Sequence, residues 1–409
     1  MGAVAAATTA AAADATSDAP AGGPERPPGS EPEPGPELEK LLDAAIRAVA
    51  YASRLSAAVQ AKFRESRARG SIVEKTDASP VTVADFGVQC LVAEFLAEVT
   101  GAGVALRLLG EEDAELLTEG KRQAELREVV ELLNEHFPFN EIAAGSGRKS
   151  FTEKDALALL QRASDKGGRE GHFWVLDPID GTKGFIRDAQ YAIGLGYVVR
   201  GVPTIGVMAC PNLPAPGGDV TRRAEGAGWV FAGLGSWAGG LELAACQGRL
   251  GGAPEPLGLP WRGLFQPLRV APCASEAAIM CESFEAGHRD GDEIRPRSEL
   301  LRSLADLRLD SMSKYGLVAR GEAHIYLRGG LRPKKRSECV WDHVAGVPIV
   351  LAAGGQVTDL RGRPLDFGSG RSLCNNEGIL ATNGTVHAEV LAEIARLRGE
   401  LLLETPPKG

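Results

Sequence analysis

Over residues 38–66 apolar side chains recur at helical spacing, with Leu41, Leu42, Ala45, Ile46 and Val49 on one face. That spacing predicts an amphipathic helix. Asp77-Ala78-Ser79-Pro80 reads as a turn. Thr82 and Asp85 approximate a capping box ahead of a helix over 86–99, which sets Asp85 in the first helical turn. A short apolar strand over 104–109 ends in Gly110-Glu111-Glu112-Asp113, and 114–165 is charged and mostly helical, the pattern of a peripheral hairpin. A buried strand over 173–176 runs into Asp177-Pro178-Ile179-Asp180-Gly181-Thr182. Residues 191–199 and 204–208 read as paired strands about a turn at Arg200-Gly201, and the Gly- and Pro-rich stretches 211–218 and 247–260 read as loops. Further strands are expected over 278–283, 325–327, 356–359 and 378–381. An apolar helix over 341–353 opens at Asp342 and stops at Gly354-Gly355, and a last helix closes the chain over 388–397. The mixture predicts layered α and β elements.

Residues 1–37 break the pattern. They are dominated by Ala, Gly and Pro and too poor in bulky apolar residues to fold, so a disordered low-complexity tail is expected. The chain begins Met-Gly, but Ala6 stands where an acylation signal needs Ser or Thr. Asp14 and Asp18, with no Arg before Arg26, argue against a transit peptide. The cytosol is therefore the default compartment, with chloroplast or mitochondrion as the alternatives.

Composition narrows the function. The 409 residues are 44% apolar and 24% charged, enough for a sizeable core. The formal charge is -9, from 54 acidic against 45 basic residues. That balance disfavours nucleic-acid polymers as partners. The seven cysteines are scattered and never form a Cys-x-x-Cys pair, which suits reduced thiols rather than a zinc ribbon or a disulfide framework. No uncharged apolar run reaches about 18 residues, so no membrane span is expected.

The hexapeptide from Asp177 to Thr182 carries the strongest chemical signal. Two carboxylates flank a proline that fixes the backbone, Gly181 permits close approach of a ligand, and Thr182 can open a helix. Carboxylates at a strand end suit a hard divalent metal such as Mg²⁺. Asp85, Glu111 and Asp342 recur in comparable settings at element ends. Taken singly each would cap a helix or face solvent; taken together they are better explained as one metal cluster.

Gly110-Glu111-Glu112, the stretch from Asp177 to Thr182 and Trp341-Asp342-His343-Val344-Ala345-Gly346 together resemble the signature of the inositol monophosphatase superfamily of Mg²⁺-dependent, lithium-sensitive phosphomonoesterases. Within it the chain resembles the 3'(2'),5'-bisphosphate nucleotidase branch of the yeast and plant type. Residues 77–85, 174–185, 206–213, 282–288, 310–316 and 325–328 carry that likeness, in order, across roughly 40–400. The resemblance implies the sugar-phosphatase fold, an α+β metal-binding part over 38–215 and an α/β substrate-binding part over 216–401, with 402–409 as a C-terminal tail.

It also implies roles. Glu111, Asp177 and the Ile179 carbonyl would hold a first Mg²⁺; Asp177, Asp180 and Asp342 a second; Asp85 and Glu111 a third. Asp85 and Thr182 would orient and deprotonate the attacking water, and Thr182 would also touch substrate. His288, Ser311, Lys314 and Arg328 would hold a nucleotide bisphosphate by its second phosphate. The implied reaction converts adenosine 3',5'-bisphosphate to AMP and phosphate, or the sulfated form to adenylyl sulfate, with Li⁺ inhibiting. A small-molecule partner is implied, with no membrane, and a monomer is favoured. Gly329-Gly330, the segment 336–340 and Met312 depart from the relatives' pattern, which bears on base selectivity rather than on metal chemistry. The alternative reading is an inositol polyphosphate 1-phosphatase or inositol monophosphatase. A further one is an idle sensor that binds the nucleotide.

Overall fold

Strands β2–β6 of this protein are apolar almost throughout because the sheet they form is covered on both faces. The computed structural model describes residues 35–69, 80–100, 106–118, 122–139, 148–224, 228–234, 245–250, 265–284, 291–332 and 337–404. The first sheet runs in chain order: β1 (Leu108–Gly110), β2 (His172–Asp180), β3 (Ala192–Val199), β4 (Val202–Cys210), β5 (Trp229–Leu234), β6 (Ala245–Arg249) and β7 (Gln266–Pro267). Only β1 and β2 pair in parallel; every later neighbour is antiparallel. The second sheet takes β8 (Ile279–Glu282), β9 (Ala305–Arg308), β10 (Ile325–Arg328), β11 (Gln356–Thr358) and β12 (Ile379–Thr382) in the order β11-β12-β10-β8-β9.

Helices alternate with these sheets. On one face of the first sheet lie α1 (Gly35–Ala68) and α2 (Pro80–Thr100), with α3 (Gln123–His136) and α4 (Glu153–Arg162) packed against α2. Trp174, Leu176, Leu195 and Val207 point into that core. Their chain neighbours Phe173, Val175 and Met208 point the other way. There they meet α6 (Ser313–Ala319), α7 (Trp341–Val344) and α8 (Gly346–Ala352), while the short α5 (Thr182–Ile186) follows β2. The far face of the second sheet is closed by α9 (His387–Glu404). The layers are α, β, α, β, α.

The middle layer sits very close to the first sheet. A Cβ on Gly206 of β4 would lie 2.1 Å from the Ala345 carbonyl oxygen, and one on Gly233 of β5 would lie 2.6 Å from the Ile349 Cα. Only glycine leaves room for backbone to meet backbone there.

Several sequence expectations shift. Helix α2 begins at Pro80, not at 86, because proline suits the first helical turn, where its missing N–H costs nothing. Thr82 therefore lies inside the helix and Asp85 in its second turn. The capping box lies instead at Thr152, whose side chain accepts the Asp155 N–H while Asp155 accepts the Thr152 N–H at 2.8 Å. Strand β2 continues through the aspartate motif to Asp180, with a register shift between Asp177 and Asp180. Part of the loop expected over 247–260 is strand β6, and β5, β7 and β9 were not expected at all. The first sheet passes the expected division at 215–216 unbroken, because β4 pairs with β5 along its length. Up to residue 34 the expected N-terminal tail lies outside the described residues, and Gly35 already belongs to α1. At the other end α9 reaches Glu404, and 405–409 lie outside them. Among the described residues no helix is long and apolar enough to cross a membrane.

Candidate active site

The parallel pairing of β1 and β2 sets the first two carboxylates. Gly110 lies opposite Leu176, so the next residues, Glu111 just past β1 and Asp177 within β2, stand side by side. The Glu111 N–H donates to the Leu176 carbonyl at 3.2 Å. One residue pair further, β2 bulges through Pro178 and the buried Ile179, and the chain delivers Asp180. Gly181 turns next with φ +89°, a left-handed conformation that a side chain would strain, and a Cβ there would lie 3.0 Å from Ser311 Cβ. Thr182 follows as the exposed first residue of α5.

The third element is α7. One oxygen each of Asp177, Asp180 and Asp342 lies within 4.8 Å of the others. Glu111 joins them, its carboxyl close enough to the Asp177 carboxyl and the Trp341 indole for both to favour its ionised form. Asp85, from α2, is buried close enough to Glu111 and Glu112 to feel their charge.

These groups disturb one another strongly. Burial first, then the charges of Glu111, Asp180, Asp342 and Asp85, push the Asp177 carboxyl well above the usual range. Burial and Glu112 raise Glu111 to about 7. Burial and Asp180 raise Asp342 to about 8, against the pull of Arg328. Burial raises Asp85 too, with Glu112 and Glu111 adding to it. The Asp177 Oδ1 is buried with no hydrogen-bond partner among the described residues. An all-oxygen donor set with an orphaned buried carboxylate oxygen fits a hard divalent cation.

Cations border this cluster. Arg328, at the end of β10, donates through Nε to Glu338 at 2.6 Å and through Nη2 to Asp342 at 3.4 Å. Lys314 of α6 is only 2% exposed, with Nζ donating to the Ser311 carbonyl at 2.6 Å. Burial lowers its pKa to about 8, although Asp180 pulls the other way. Ser311, at φ +69°, shares a 2.7 Å hydrogen bond with Ser313, and the Met312 N–H donates to Asp180. Ser311, Lys314 and Arg328 therefore gather beside the acids. His288 lies outside the described residues. Next to Ser311, Asp310 helps to line a cavity of about 190 Å³ with Arg187, Gln190, Phe284 and Arg308.

With this geometry in view, the profile of the inositol monophosphatase family matches residues 37–398. The chain belongs to the inositol monophosphatase family. Among curated members, a 3'(2'),5'-bisphosphate nucleotidase of Emericella nidulans is 36% identical over 84% of this chain and 95% of its own length. One of Oryza sativa is 36% identical over 86% and 93%. Among solved structures, CysQ from Bacteroides thetaiotaomicron, a bacterial member of the family, superposes with a TM-score of 0.51 at 18% identity, over 85% of this chain and 97% of that one; it speaks to the fold alone.

Sequence reasoning missed several residues that arrange this family member's acids. Gln89, one turn beyond Asp85, accepts the Glu112 N–H at 3.1 Å and donates to its carbonyl at 2.8 Å, which ties α2 to the end of β1. A Cβ on Gly110 would collide with it. Glu338 holds Arg328, and the Tyr315 hydroxyl and the buried His343 share a 2.8 Å hydrogen bond beneath α7. The spacing of Asp85 and Gln89 on one helical face was a usable signal; Glu338 carried none.

Proposed function

We propose that this member of the inositol monophosphatase family is a Mg²⁺-dependent 3'(2'),5'-bisphosphate nucleotidase. It hydrolyses the 3'-phosphate of adenosine 3',5'-bisphosphate to AMP and phosphate, and acts likewise on the sulfated form. Its place is then the disposal of a by-product of sulfate transfer. The observation that carries this reading is Arg328, whose guanidinium reaches Asp342 of the acidic cluster while Lys314, bonded to Ser311, lies close enough to feel its charge. A substrate with two phosphates suits such a pair of adjoining zones, and the relatives' names agree with it.

The residues that would hold Mg²⁺ are Glu111, Asp177, Asp180, Asp342 and Asp85, with the Ile179 carbonyl. When bound, Mg²⁺ neutralises phosphoryl charge and lets water ionise near neutral pH. Asp85 accepts the proton of the attacking water, which the Thr182 hydroxyl orients. The phosphorus–oxygen bond to the ribose 3'-oxygen breaks opposite the incoming oxygen, and the leaving oxygen takes up a proton. Arg328 and Lys314 bind the second phosphate, Arg328 in a fork of parallel hydrogen bonds; Ser311 and His288 complete that subsite. Free thiols at all seven cysteines fit a reducing compartment such as the cytosol.

Phosphate release with Mg²⁺ tests the reading. Adenosine 3',5'-bisphosphate should give the highest kcat/KM among itself, inositol 1,4-bisphosphate, inositol 1-phosphate and fructose 1,6-bisphosphate. An inositol phosphate turned over as well or better would replace it with the inositol phosphatase alternative. Millimolar Li⁺ should inhibit; full activity in its presence counts against the metal roles.

A further inference from the structure

Arg371 lies far from every carboxylate of the cluster in sequence, yet it touches both of the elements that frame it. Its Nη2 donates to the Glu111 carbonyl at 3.1 Å. Its guanidinium carbon stands 4.6 Å from the centre of the Trp341 ring. Its own carbonyl accepts the Val340 N–H at 3.1 Å, and the Leu373 N–H donates to the Glu338 carbonyl at 2.9 Å. Cys339 and Ser372 thus face each other across a two-stranded bridge immediately before Trp341-Asp342. The Trp341 indole in turn stands close enough to the Glu111 carboxyl to favour its ionised form. Among the described residues the Arg371 guanidinium has no carboxylate partner.

We propose that Arg371 is a positioning residue for the metal cluster, fastening Glu111 at the end of β1 to Trp341-Asp342 at the start of α7. This rests on the metal roles proposed above. The guanidinium does two things at once. It fixes the Glu111 backbone by a hydrogen bond, and it covers the ring of the indole that neighbours the Glu111 carboxyl. A lysine could make either contact but not both as well, since its compact ammonium lacks the breadth of a guanidinium that bonds a carbonyl while covering a ring. Groups that orient metal ligands from behind typically change metal affinity by about 10- to 100-fold when removed.

The test measures metal binding directly, by the loss of the free Mn²⁺ signal in electron paramagnetic resonance, without substrate. Arg371→Ala should weaken Mn²⁺ binding by about tenfold or more, with Arg371→Lys in between. The Mg²⁺ concentration for half-maximal phosphate release should rise in parallel, with kcat at saturating Mg²⁺ and the substrate KM within about threefold of the unmodified protein. Unchanged Mn²⁺ affinity in folded Arg371→Ala overturns the proposal. So does a raised substrate KM with unchanged Mn²⁺ affinity, which would make Arg371 a substrate contact. If the alanine variant does not fold, Arg371→Met, which keeps the alkyl packing but no donor, is judged by the same criteria. Inactivity of the unmodified protein toward adenosine 3',5'-bisphosphate would overturn the function while the Mn²⁺ measurement still reads the role of Arg371.

Discussion

At Asp177, burial and four neighbouring carboxylates all oppose ionisation. Removing that charge relieves repulsion and, on the proposed metal roles, removes a ligand in one step. Asp177→Asn is therefore expected to melt no lower than the unmodified protein in EDTA, yet to lose its stabilisation by Mg²⁺. A ligand at about 100 times its Kd contributes roughly 2.7 kcal/mol, so the unmodified protein's Tm should climb with Mg²⁺ and the variant's should not. Asp180→Asn should abolish phosphate release; an unaffected rate would remove Asp180 from the cluster. The thiols divide as sharply. Cys374 is exposed, whereas Cys210, Cys246 and Cys281 are buried, with pKa values pushed up to about 12. A thiol reagent followed by mass spectrometry should label Cys374 first and leave those three untouched in the native state. The carboxylates were legible in the sequence because each sits in a compact local motif. Gln89 left only its helical spacing from Asp85 as a signal, and Arg371 left none, since the carbonyl it binds belongs to a residue 260 positions away.

The elements were legible where their periodicity was clean. Helix α1 and the hairpin of β3 and β4 stand close to where the apolar pattern placed them, and β2 starts where expected but runs on to Asp180. Strand β5 was missed although it is buried throughout, because a short apolar run carries no period that tells strand from loop or helix. Strands β6 and β9 mix glycine, alanine or charge into so few residues that only their pairing defines them. Gly206 tests the element scale directly. Gly206→Ala forces α7 and α8 away from β4 and should cost about 1–3 kcal/mol in denaturant unfolding. Thr152→Ala, which removes the cap of α4, should cost about 1 kcal/mol. A glycine variant as stable as the original would mean that the helix layer floats rather than docks.

On the scale of the whole molecule, the ordering of the second sheet was not legible, because strands that pair there lie far apart in the chain, as β10 and β12 do across α7 and α8. The second sheet is pinned to α9 by His387, which is 1% exposed and shares 2.9 Å hydrogen bonds with Thr358 of β11 and Thr382 of β12. Burial lowers its pKa to about 4 from the usual 6.5. The native state therefore stays neutral there while the unfolded chain takes up a proton below about 6.5. Stability is expected to fall as pH drops from about 6.5 toward 4, by up to about 3 kcal/mol. His387→Gln should flatten that part of the stability–pH curve; an unchanged slope would assign the loss to other groups. The hydrogen bond from Arg371 to Glu111 spans 260 residues of chain. Contacts of that separation close only after the segments between them have collapsed. On dilution from denaturant, far-UV circular dichroism should return before metal binding does. A protein newly released from a ribosome would then pass through a folded-looking but metal-blind interval, ended by the C-terminal quarter of the chain.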